Sequence, residues 1–118
     1  MERFRFDAES AFAPRAELLE GVTVAPLTAP LRTGSPVQAA VFRLGAGGRI
    51  GRHPATVAQI LAVLEGEGLV SGGSGEFVPV AAGDAVFWDA GEEHETQTDY
   101  GLTVLVLEAE GLRPWPQE

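Results

Sequence analysis

The sequence predicts an all-β fold, a sandwich or barrel with little helix, and three observations carry that prediction. Fifteen glycines and eight prolines divide the 118 residues into short segments bounded by turn chemistry. Between them lie about nine runs rich in β-branched and aromatic residues at the spacing of a sandwich or barrel. Two of these runs, "QILAVLE" and "LTVLVLE", are apolar on both pleat faces, so each needs packing on both sides.

The first candidate element is "PRAELLEG" over 14–21, where Pro14 suits a first helical turn and Gly21 a C-terminal cap. Strands are expected over 21–29, 37–44, 49–53, 59–66, 68–72, 76–80, 85–89, 94–98 and 102–110. "SGGSG" from Ser71 to Gly75 has the glycines that a hairpin needs for positive φ, so it should join antiparallel neighbours. The tail "LRPWPQE" carries two prolines and cannot enter a central ladder, which leaves Trp115 to pack on the body or on a second subunit. The reading is one domain over 1–118, with a barrel core over about 37–110, N-terminal strands and a short helix over 1–36, and a tail over 111–118. A chain of this length buries roughly two thirds of its unfolded surface.

Charge narrows the partners. Seventeen acidic against eight basic residues give a net charge of -9, which repels phosphate backbones and anionic lipid, so neither nucleic acid nor a membrane is expected. No window has the length of an apolar membrane span, and "MERFRFDAES" lacks the apolar centre of a secretory signal, so a soluble, cytoplasmic protein is expected. There is no cysteine, so a bound metal would rely on nitrogen and oxygen donors.

The two histidines are the chemistry-bearing residues. His53 precedes Pro54, which holds it in extended geometry, and His94 follows the turn residues Ala90-Gly91, so both open strands. Converging in the mouth of a barrel, two imidazoles would suit a divalent metal. Gln59 alternates with Leu61 and Val63 and, pointing inward, would stand above an apolar floor. Counting back from His53 puts Arg49 on its face, within reach of an anionic ligand group, and Arg52 on the solvated side. Thr96 should share the face of His94 while Glu95 faces out, and Glu92, Glu93 and Glu95 read together as a solvated acidic run. Phe42, Phe87 and Trp88 read as core aromatics. "GAGGRIG" is a turn and not a dinucleotide fingerprint, and no serine sits in a nucleophile elbow.

In register and order these residues resemble the two motifs of the cupins, small β-barrels. Gly47, His53, Ala55, Gln59 and Gly66 fall on the positions of the first motif, and Gly83, Asp89, Gly91, His94 and Thr98 on those of the second. The resemblance covers about 45–110 and implies a double-stranded β-helix, the jelly-roll barrel. It also implies a metal site in which His53 and His94 keep their imidazoles and Gln59 keeps an oxygen donor without charge. Ala55 stands where the family has histidine and supplies nothing. A carboxylate meets a cation with a full charge, about 4 kcal/mol at roughly 4 Å and an effective dielectric near 20, whereas an amide offers a dipole. The implied divalent site (Zn, Ni, Fe, Mn or Cu) is therefore weak. Asp89 in place of proline loosens the turn before His94, which Ala90-Gly91 can still form.

Three functions follow from this reading. One is a small-molecule-binding barrel whose divalent metal, held by His53, Gln59 and His94, supports an enzymatic reaction of oxygenase, isomerase or lyase type, with Arg49 and Thr96 on the substrate. Another is a metal-free module that binds or senses a small ligand. The third is a structural homodimer, and the resemblance to a family that often dimerises makes a homodimer the expected assembly.

Overall fold

The computed structural model describes residues 1–15, 17 and 20–116. Among them are eight strands and no helix: β1 (Glu2–Arg5), β2 (Val37–Leu44), β3 (Arg49–Pro54), β4 (Gln59–Ser71), β5 (Phe77–Ala81), β6 (Asp84–Trp88), β7 (Glu93–Gln97) and β8 (Leu102–Ala109). Every strand pairing is antiparallel. The strands form a jelly-roll barrel of two walls that share the 13-residue β4. The first half of β4 pairs with β6 and β8, which carry β1 and β2 on their far sides; its second half pairs with β5 and β7, and β7 carries β3.

The two-faced apolar strands sort their side chains into two cores. Leu61, Val63, Val104 and Val106 enter the barrel interior with Val70, Val86 and Trp88. Ile60, Ala62 and Ala109 face outward and join Phe4, Phe87 and Leu112, with Phe6, Leu27 and Leu31 packed against them. The N-terminal segment thus covers the outer face of the first wall, which explains why β4 and β8 tolerate apolar residues on both sides.

Three expectations change. Strands over 59–66 and 68–72 are one strand, because Gly66, at φ +85°, bends β4 where its register with β8 shifts between Val63 and Glu65 instead of ending it. The strand expected over 21–29 is not a ladder; among the described residues only the isolated bridges Phe12–Val24 and Thr28–Pro114 form, since Pro26 removes a donor within it and Pro30 another directly after it. β1 was unforeseen because "ERFR" buries a single apolar residue, Phe4. Of the helix expected over 14–21, residues 16, 18 and 19 lie outside the described residues, while Glu17 and Glu20 occupy a turn and a bend. The hairpin at Ser71–Gly75 forms as expected, with Gly75 at φ +78° and its amide donating to Gly72 O at 3.0 Å. Trp115 packs on its own chain, its ring 6.5 Å from that of Phe12.

No helix among the described residues is long and apolar enough to cross a membrane.

Candidate functional site

β3 and β7 lie side by side at one end of the barrel, and their register sets His53 directly opposite His94. The ring centroids are 4.3 Å apart with the planes at 54°. The segment that leaves β3 is tied to the turn that enters β7: Ala55 N donates to Glu92 O at 2.9 Å and Gly91 N to Ala55 O at 2.7 Å. The turn that carries Asp89 in place of proline still closes, with Glu92 N donating to Asp89 O at 3.0 Å and Gly91 at φ +83°.

Each imidazole is oriented by a main-chain carbonyl. His53 Nδ1 lies 2.7 Å from Gly51 O, and His94 Nδ1 lies 3.1 Å from Glu92 O. A carbonyl oxygen can only accept, so Nδ1 is the donor in each ring, and in its neutral form such a ring keeps the Nε2 lone pair. This is the arrangement by which metal-ligating histidines are held. His94 is buried, with its ring 4.4 Å from that of Trp88, whereas His53 is exposed. Burial pushes His94 below the usual imidazole value, with the neighbouring His53 adding to the effect; the hydrogen bond to the Glu92 carbonyl and the charges of Glu92 and Glu108 oppose it. Neutral imidazole is the form that binds a metal.

Gln59 is buried at the same end, cross-strand from Trp88, and shares the inner face of β4 with Leu61 and Val63 as expected. Ala55 is buried and supplies no donor. Thr96 shares the inner face of His94 and is buried between Ile50 and Val70, deeper than the imidazoles. Among the described residues no group of three His, Cys, Asp or Glu side chains is close enough to hold a metal. A divalent ion at this end would therefore rest on two imidazole nitrogens and the Gln59 amide oxygen. The donor types fit such an ion, and the low charge count would make its binding weak.

Arg49 does not share the face of His53. The register of β3 shifts between Ile50 and His53, so the two-residue count fails and Ile50, opposite Thr96, takes the inner face. Arg49 lies on the outside and donates from Nη2 to Glu95 Oε2 at 2.7 Å. This corrects its expected place beside a ligand. Arg52, expected to be solvated, reaches Ser71 Oγ at 3.2 Å and Gly72 O at 2.9 Å.

Glu92 is not part of a solvated acidic face. Its carboxylate accepts from the Met1 ammonium and Gly73 N, each at 2.9 Å, and from Asp89 N at 3.1 Å. Burial alone would raise its carboxyl, but these three bonds outweigh that and hold it below the usual carboxylate value. It braces the turn on which His94 depends. Trp88 and Glu108 also escaped the sequence reading as site residues. Their signal was parity: Glu108 alternates with Val104 and Val106, and Trp88 with Val86.

A cleft of about 490 Å³ lies elsewhere, lined by residues including Glu67, Leu69, Pro79, Gln97 and Tyr100. It holds neither histidine, and its one buried polar side chain, Thr98, spends its hydroxyl on Glu67 O at 2.7 Å and Gly101 N at 3.1 Å. The reactive groups are at the histidine end.

The model of the cupin domain matches residues 40–108. No curated protein matches the chain. Among solved structures, a conserved protein of unknown function from Streptococcus pyogenes is 23% identical, covers 77% of this chain and 73% of its own, and superposes with a TM-score of 0.60. A predicted oxalate decarboxylase from Thermotoga maritima is 29% identical over 65% of each chain, with a TM-score of 0.55. A cupin superfamily protein from Desulfitobacterium hafniense is 17% identical, with 83% and 89% of the two chains covered and a TM-score of 0.60. The two motifs in register, the jelly-roll barrel and a domain match over more than half of its length place this chain in the cupin family.

Proposed function

We propose that this protein binds a small molecule at the histidine end of its barrel, where His53, His94 and Gln59 form a weak site for a divalent metal. The observation that carries this reading is the pair of facing imidazoles, each fixed through Nδ1 by a carbonyl so that Nε2 is left as a donor of electrons. When bound, such an ion supplies Lewis acidity. The chain's own contribution is to orient two rings, to bury one of them and to bring a neutral amide beside them.

Trp88 reports on the site because its ring lies against His94. In a Trp115→Phe background Trp88 is the remaining indole, since the chain has two tryptophans. Copper(II) should quench its fluorescence saturably and chelator should restore it. His53→Ala should weaken this binding at least about tenfold, and Gln59→Glu, which adds a full charge, should tighten it by about tenfold or more. Quenching unaffected by either substitution would remove the metal assignment. The metal-free reading keeps the same residues as hydrogen-bonding partners, and it gains support if a ligand binds equally well in chelator.

The homodimer belongs to the same proposal. Among the described residues β2 pairs with β8 alone, and Val37, Val41 and Phe42 are exposed along it. A long apolar edge of this kind is ordinarily covered, and a second copy paired along β2 would cover it. Light scattering should give twice the chain mass, with Val41→Lys shifting the protein to monomer; a monomeric wild-type chain would refute the dimer.

A further inference from the structure

The first wall of the barrel carries one row of polar side chains of which the two motifs account only for Gln59. Trp88 on β6, Gln59 on β4, Glu108 on β8 and Gln38 on β2 are successive register partners. Direct cross-strand partners project from the same face of a sheet, so this row lies on the inner face at the histidine end. Two residues further along each strand, the same face carries Val86, Leu61, Val106 and Ala40. An apolar floor therefore gives way at the rim to an indole N–H, an amide and a carboxylate.

Among the described residues, two members of the row have polar side-chain groups with no hydrogen-bond partner. Trp88 Nε1 is buried and makes no hydrogen bond among the described residues, although its side chain is 1% exposed. A buried donor left in that state costs free energy that a bound acceptor removes. Glu108 is half-buried, and none of the four ion pairs among the described residues engages it. Opposite the row stand His94, against which Trp88 is stacked, and His53. No cation faces the row from β3, because Arg49 and Arg52 are spent on Glu95 and on Ser71 and Gly72.

We infer that this row reads the ligand, and that the ligand is a small hydroxylated carbonyl compound: its carbonyl oxygen accepts from Trp88 Nε1–H, a hydroxyl donates to Glu108, and Gln59 serves either group between them. The inference rests on the histidine end being the binding site, as proposed above. Strands lie about 4.8 Å apart, so the row from β6 to β8 spans roughly 10 Å between backbones, and the long side chains narrow that to a ligand of about three to six carbons. A dicarboxylate is disfavoured, since its second charge would meet Glu108 while both arginines of β3 are engaged elsewhere.

The indole N–H resonance of Trp88 is the direct readout. In ¹⁵N-labelled, chelator-treated Trp115→Phe protein, dihydroxyacetone, D-ribose and D-xylose serve as probes, with oxalate and malonate as dianions. At least one of the three hydroxycarbonyl probes should move the Trp88 signal saturably, and Glu108→Gln, which keeps the shape and removes the charge, should weaken it at least tenfold. The inference is overturned if oxalate or malonate saturates the signal more tightly than every hydroxycarbonyl probe, if Glu108→Gln leaves affinity unchanged, or if no probe moves the resonance. Copper quenching that depends on His53, together with a silent indole resonance, would retain the site and discard the row. A probe that binds through Glu108 but is indifferent to His53→Ala and His94→Ala would support the row and count against the histidine site.

Discussion

Gly66→Ala should destabilise this protein by about 3 kcal/mol, the sum of a positive-φ penalty and an overpacking penalty of comparable size. Gly66 sits at φ +85° where β4 passes from one wall of the barrel to the other, and an added Cβ would land on the Gly101 carbonyl oxygen and 3.2 Å from Leu102 Cα. Both obstacles are backbone at the entry to β8, so no side-chain rotation relieves them. Gly47 separates the two effects, because it has φ +75° but nothing within 4 Å of the added atom. Gly47→Ala should cost only the conformational part, about 1 kcal/mol. Urea unfolding of the two variants measures the difference. Equal losses would mean that the crossing of β4 is not the tight point described above.

Glu92→Ala should cost about 3 kcal/mol and also loosen the metal site, because one carboxylate satisfies three donors from three parts of the chain. Met1, the β4–β5 hairpin at Gly73 and the turn at Asp89 would all lose their common partner. The main-chain carbonyl of Glu92 orients His94, so copper affinity read through Trp88 should fall about tenfold even though Glu92 is not a ligand. The pH dependence has a defined sign. The folded-state value of Glu92 is depressed, so its contribution is complete above the unfolded carboxylate value and disappears as pH falls through the lower folded value. Chemical unfolding from pH 7 into the acid range should show wild type losing more stability than Glu92→Ala. Parallel curves would show that the carboxylate does not brace the turn.

Most of the strands were legible because apolar runs and turn residues are local signals. "VQAAVFRL" becomes β2 over the expected residues, and β5 to β8 fall within one residue of their expected ends. The face of Gln59 was also legible, since β4 keeps strict alternation from Gln59 to Val63. The face of Arg49 was not. One irregularity between Ile50 and His53 reverses parity, and nothing in "RIGRHP" states where a register shift falls. Glu92 looked like one charge in an acidic run, because its three donors come from positions as distant as Met1.

The linear chain already carries an all-β pattern, the two motif registers that hold His53 and His94, and the neutral amide where a carboxylate is usual. These are properties of spacing and residue type, which the chain carries before it folds. Tertiary structure decided which side chains share the barrel end. It placed the imidazoles face to face across β3 and β7, assembled Trp88, Gln59 and Glu108 into one row, and turned Arg49 outward. Cross-strand register is the physical reason: it joins residues from four separate segments, and a single bulge resets every face that follows it.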